Sequence, residues 1–194
     1  MLETPRRREI EDAASTLFRE RGYSATSVRD IANALEIRGP SLYAHVTSKE
    51  DVLWAIVDRA ATRFERAADA ATTTIPADPV TRLAALVRAH VEVIASDPGE
   101  ASVFVAEWRH LSPDRRAEIL ERRDAYERRF RTAIADGMSD GSFTLTDPAL
   151  AAAFLLSALN GIATWYDPAG RLAVDRIADH YADLAVRSLT EAPR

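Results

Sequence analysis

The sequence predicts an all-α fold of about nine helices, and three observations predict it. Apolar side chains recur three and four positions apart through nearly the whole chain, which is the period of one helix face. Gly, Pro, Ser, Thr and Asp stand where those stripes begin and end. No run alternates apolar and polar residues for long enough to make a strand, with Phe143 and Leu145 extended at most. With 194 residues, 47% hydrophobic and 28% charged, the chain can bury a sizeable core in one or two domains.

Residues 5–21 read as the first helix. Ile10, Ala13, Ala14, Leu17 and Phe18 line its apolar face, Gly22 caps its C-terminus and Tyr23 packs back beneath it. Thr26 to His45 then hold two short amphipathic helices and a tight turn. Val28, Ile31, Ala32 and Leu35 share one face, and Ser27 with Asp30 has the S-x-x-D spacing of a helix start. Leu35-Glu36-Ile37 interrupts the pattern. Pro40 suits the first turn of the next helix, because its missing N–H would be unpaired there anyway. Residues 47–74 read as one long helix, with Thr47 and Glu50 as its capping box and Val52, Leu53, Ile56, Val57, Ala60 and Phe64 as its stripe.

A polar, proline-bearing connector follows at residues 72–79. Residues 79–96 are helical through Leu83, Leu86, Val87, His90, Val91 and Ile94, until Asp97-Pro98-Gly99 breaks them. Residues 100–111 are short and helical. Pro113 opens a long helix to about residue 136, with Arg123 on the same face as Ile119, Tyr126 and Phe130. The last two helices, 147–165 and 173–190, are more apolar than one small subunit needs, and the first is rich in Ala, Ser and Gly. Such a pair packs against its two-fold mate as a four-helix bundle. The interface residues expected for a homodimer are Phe154, Ala158, Gly161, Ile162, Ile177, Tyr181 and Leu184.

Composition excludes several classes. There is no cysteine, so disulfides and thiolate metal sites are out. No apolar run approaches the eighteen or so residues of a membrane span. The N-terminal MLETPRRREIED is too charged for a signal peptide, which leaves the cytoplasm as the default location. The four histidines are scattered, and no metalloprotease, hydrolase, dinucleotide or P-loop motif occurs. An enzyme, a metal and a cofactor are therefore not expected. Net charge is −5, but residues 1–50 balance eight bases against eight acids, so the acid excess lies in the C-terminal part.

Spacing alone fits two readings of Thr26 to His45: a helical hairpin at the edge of a core, or a DNA-reading helix-turn-helix. The ordered residues T-S-V-R-D-I-A, I-R-G-P-S-L-Y-A-H-V and S-K-E-D-V-L resemble the DNA-binding domain of the TetR family of repressors. The likeness extends back to Arg8-Glu9-Ile10, Ala13-Ala14, Leu17-Phe18 and Gly22-Tyr23. It implies a three-helix DNA-binding domain over residues 1–48 and a helical ligand-binding and dimerisation domain over 49–194. It also implies a ligand-responsive repressor that binds a palindromic operator as a dimer. Ser41, Tyr43 and Arg38 would enter the major groove, with Gly39 and Pro40 allowing close approach. Arg29, His45 and Lys49 would contact phosphates alongside Tyr43. Two positions depart from the family pattern: Glu36 stands where Gly is usual, and Arg38 where Ser or Thr caps the reading helix. The competing function is a helical effector-binding or protein-interaction domain without sequence-specific DNA binding.

A small-molecule effector is expected among the middle helices. Arg123 interrupts an apolar stripe and needs a partner, either an internal acid such as Glu107 or an anionic ligand. His90 fits both a hydrogen-bonded core position and a ligand contact. The candidate lining is His90, Phe104, Glu107, Trp108, His110, Arg123, Tyr126, Phe130 and Trp165. Glu107…His110-Leu111, Asp140-Gly141-Ser142-Phe143 and Trp165-Tyr166-Asp167-Pro168-Ala169-Gly170 resemble the members that control fatty-acid, phenylacetate and steroid catabolism. Those respond to acyl-CoA thioesters; a drug or small aromatic effector is the alternative within the class.

Overall fold

A computed structural model of the chain describes residues 5–73, 78–144 and 146–190. Residues 74–77 of the expected connector and Leu145 lie outside the described residues. Within them the chain forms nine α-helices and no strand. In chain order these are α1 (Pro5–Arg21), α2 (Val28–Ala34), α3 (Gly39–Tyr43), α4 (Lys49–Thr73), α5 (Pro79–Ser96), α6 (Pro98–Ala106), α7 (Pro113–Ser139), α8 (Pro148–Trp165) and α9 (Val174–Thr190). A single 3₁₀ turn, Trp108–His110, follows α6.

Helix starts follow the local chemistry. Ser27 and Asp30 form a complete capping box on α2. The Asp147 carboxylate accepts from the Ala149 N–H at 2.8 Å and the Leu150 N–H at 3.2 Å, with Pro148 in the first turn. The start of α4 differs from the expected Thr47–Glu50 box by one residue. Ser48 Oγ accepts from the Asp51 N–H at 3.0 Å, and the Asp51 carboxylate accepts from the Thr47 N–H at 3.2 Å. Glu50 is drawn away by a distant donor, the Ser112 N–H at 3.2 Å, and by Arg115 at 3.1 Å.

The chain forms two compact units, and neither is a simple stretch of sequence. Unit 1 comprises residues 1–61 and 99–120; unit 2 comprises 62–98 and 121–194. The division falls inside α4 and α7, whereas the linear reading places a boundary after residue 48. The core of unit 1 contains Ile10, Phe18, Ile31, Leu42, Leu53 and Ile56, all fully buried. Two carboxylates are buried with them, Glu11 and Glu100, each 2% exposed. Arg59 pairs with both, reaching Glu100 at 2.5 Å and Glu11 through its other branch. A buried carboxylate needs such a partner, since water no longer solvates it.

In unit 2, α5 packs against α8 and α9. Its core includes Leu83, Leu86, Ile94, Phe130, Ile134 and Ile162. Gly137 is where the side chain of Phe143 lies on α7: a Cβ there would stand 2.2 Å from the Phe143 ring. Ile162 and Ile177, expected in a dimer interface, are instead 0% and 4% exposed, because they fall on the inward faces of α8 and α9. The outward face of α8 carries Leu150, Phe154, Ala158, Gly161 and Trp165 at helical spacing, with Phe154 65% exposed. Leu184 of α9 is also exposed and Tyr181 half-buried. α8 has eighteen residues and no charge, so it is long and apolar enough to cross a membrane by composition, contrary to the expectation that no run reaches that length.

Candidate functional site

The α2–turn–α3 hairpin is built from the inside out. Ile31 and Leu42 are fully buried and fasten its two helices to the core. The turn ends α2 in a Schellman arrangement: the Ile37 N–H donates to Ala32 O at 3.0 Å and the Glu36 N–H to Asn33 O at 3.1 Å. This geometry requires a left-handed residue, and Glu36 supplies it with φ +54°, a conformation that favours glycine. Arg38 is the N-cap of α3 and makes no side-chain cap. Little is left for such a cap to do, because Pro40 has no N–H and the Ser41 N–H donates to the Arg38 carbonyl at 2.9 Å.

Burial places the expected DNA residues on an open face. Arg29, Arg38, Pro40 and Ser41 are exposed, Tyr43 is 56% exposed, and Gly39 and His45 are half-buried. Arg7 donates to the His45 carbonyl at 3.4 Å and so steadies the end of the hairpin. Lys49 has a duty that the sequence did not reveal. Its ammonium donates to Tyr23 O and Thr26 O, both at 2.8 Å, and lies 4.0 Å from the Tyr23 ring centroid. Burial lowers its pKa from the ordinary lysine value. Two of its three N–H donors thus hold the loop leading into α2, and only the third remains outside these two bonds.

The nine expected effector residues divide between the units. Phe104, Glu107, Trp108 and His110 belong to unit 1. There His110 stacks on Tyr23 with centroids 5.1 Å apart and pairs with Glu107 at 3.3 Å, so Glu107 has an acid's work to do other than with Arg123. Phe104 and Trp108 are buried. Trp165 is exposed at the end of α8.

His90, Arg123, Tyr126 and Phe130 belong to unit 2. His90 is 3% exposed, with Nδ1 3.1 Å from Tyr126 Oη. Phe64 lies 4.7 Å from it, centroid to centroid, and Phe130 6.5 Å. Burial pushes the pKa of His90 down to about 3; the neighbouring Asn160 amide opposes this and the charge of Arg123 adds to it. Burial likewise raises the Tyr126 phenol, so both groups are neutral at pH 7. Phe64 and Asn160 were not among the expected site residues. Asn160 had a signal, being the one amide in an otherwise apolar helix.

The comparisons agree with this architecture. Residues 10–56 match the family described as bacterial regulatory proteins, tetR family. Residues 76–189 match the tetracyclin repressor-like C-terminal domain. The HTH-type transcriptional repressor KstR2 of Rhodococcus jostii is 32% identical over 190 residues, covering 95% of this chain and 91% of its own. The structure of the ketosteroid transcriptional regulator KstR2 of Mycobacterium tuberculosis superposes with TM-score 0.85 at 27% identity, over 98% of each chain. The structure of AibR in complex with isovaleryl coenzyme A and operator DNA gives 0.81 at 30% identity, over 92% of this chain and 97% of that one. With one family model matching residues 10–56, a second matching more than half of the chain, and a repressor relative aligned over nearly all of it, the chain belongs to the tetR family of helix-turn-helix transcriptional regulators.

Proposed function

We propose that this protein is a cytoplasmic repressor that binds a palindromic operator as a homodimer and is released by an acyl-CoA thioester. The open face of α3, with Ser41 and Tyr43 exposed on a helix that buried Leu42 pins to the core, is the observation that carries the DNA half of this reading. Ser41 and Tyr43 read base edges, with Gly39 and Pro40 letting the backbone come close and Arg38 beside them. Arg29 and His45 set register on the phosphates. Lys49 holds the loop ahead of α2 and offers its remaining donor to a phosphate. The outward stripe of α8, with Leu184 and Tyr181 of α9, supplies the self-complementary face that a two-fold dimer needs.

For the effector, the aromatic cluster of unit 2 supports a ligand with an apolar tail, lying along Phe64, Tyr126 and Phe130 near the positive charge of Arg123. The AibR likeness favours an acyl thioester over a drug. Such a ligand must bind the DNA-free state more tightly, since equal affinity for both states would shift nothing. Fluorescence anisotropy with the DNA upstream of its own gene tests the reading. Binding should weaken steeply as salt rises, and Tyr43→Ala should reduce it while leaving the oligomer intact. Salt-insensitive binding, or none, would favour an interaction domain instead.

A further inference from the structure

The interior of unit 2 holds a polar group with nothing to bond. His90 Nε2 is buried and has no hydrogen-bond partner among the described residues. The Asn160 amide is its polar neighbour on α8 but does not reach that nitrogen with hydrogen-bonding geometry. Native interiors seldom leave such groups unpaired, and a satisfied partner is recovered stability.

The chemistry of the His90–Tyr126 pair decides what that nitrogen offers. An imidazole nitrogen is a much stronger acceptor than a phenol oxygen, and burial keeps the Tyr126 phenol protonated. The phenol therefore donates to Nδ1 across their 3.1 Å separation. That places the ring proton on Nε2, where it is a donor with no acceptor. Because the ring is neutral, it cannot pair with a carboxylate as an imidazolium would. Three aromatic rings surround it: Phe64 at 4.7 Å, Tyr126 at 5.7 Å and Phe130 at 6.5 Å between centroids. Tyr126 is only half-buried, so the cluster reaches the surface at that ring.

We infer that the His90 Nε2–H reads the carbonyl oxygen of the effector's acyl group, and that the ligand class carries an uncharged acyl group, a thioester rather than a carboxylate, whose apolar part lies against Phe64 and Phe130. Tyr126 acts as a positioning residue by fixing the tautomer. The inference rests on the acyl-thioester reading above and makes it more specific: what is recognised is the C=O as well as the chain and the coenzyme.

Titration calorimetry at pH 7.5 tests it with isovaleryl-CoA and octanoyl-CoA, their S-alkyl thioether analogues in which CH₂ replaces C=O, and the two free acids. The better thioester should bind at least tenfold more tightly than its thioether. His90→Leu should abolish that preference, and His90→Gln, which retains an N–H donor, should restore part of it. In unmodified protein labelled with ¹⁵N-histidine, the Nε2–H signal should move downfield with the thioester and not with the thioether. Equal affinity for thioester and thioether, or a preference that survives His90→Leu, overturns the inference while the acyl-CoA reading stands. A free acid that binds as tightly and moves the same signal overturns the neutral class. Failure of every CoA compound to bind overturns the acyl-CoA reading and this inference with it.

Discussion

Glu36 is the sharpest case at the scale of the residue. It occupies the left-handed position of the Schellman turn with φ +54°, where a side chain crowds the following carbonyl. Glu36→Gly should therefore stabilise the protein by about 1 kcal/mol, read as a raised midpoint in urea with an unchanged slope. A lowered midpoint would mean that its carboxylate makes a compensating contact. His90 gives a pH effect with a definite sign. Its folded pKa of about 3 lies below the unfolded value of 6.5, so its contribution to stability is complete above pH 6.5 and is lost as pH falls from there. The loss from this group approaches about 1.4 kcal/mol per pH unit. Unfolding free energies measured from pH 7.5 to 5.5 should fall more steeply for the native chain than for His90→Gln; parallel curves would refute the neutral assignment.

At the scale of the element, the sequence was legible wherever a helix declares itself through nearby residues. Pro5, Ser27, Pro79, Pro113 and Pro148 mark helix starts that the structure retains to within a residue or so. Reading failed where the partner comes from far along the chain. Thr47 and Glu50 have the right spacing for a cap, yet Glu50 is claimed by Ser112 and Arg115, more than sixty residues later in sequence. Periodicity also showed that Ile162 and Ile177 lie on apolar faces, but not which face meets the subunit's own core. Close packing gives one further expectation. Gly137→Ala would drive a methyl into the Phe143 ring, 2.2 Å away. Thermal denaturation should show a destabilisation of about 1–3 kcal/mol; a neutral result would mean that the ring moves aside freely.

For the whole molecule, the outward face of α8 and α9 is the main unsatisfied surface. Leu150, Phe154 and Leu184 are 71%, 65% and 49% exposed, more apolar surface than an isolated subunit gains from leaving in water. Phe154→Glu should convert a dimer to a monomer in light scattering and remove operator binding with it, because one half-site alone binds weakly. An intact dimer would place the two-fold contact elsewhere. The candidate effector site was the least legible feature at this scale. Trp108, His110 and Arg123 are all polar-tipped or charged residues set among apolar ones, not far apart in the sequence. Yet α7 carries Arg123 into unit 2 while the first two stay in unit 1, His110 stacked on Tyr23, and one-dimensional spacing holds no record of that separation.

The discontinuous make-up of unit 1 bears on how such regulators can be recombined. Glu11 is buried with Arg59, and Arg59 also serves Glu100; Glu50 depends on Ser112; Tyr23 lies between Lys49 and His110. A reader cut from this chain after residue 48 would carry Glu11 and Tyr23 without their companions. A hybrid regulator that borrows this DNA specificity must inherit two separate stretches of the gene, residues 1–61 and 99–120. The operator preference and the segment that braces it are thus inherited together or not at all.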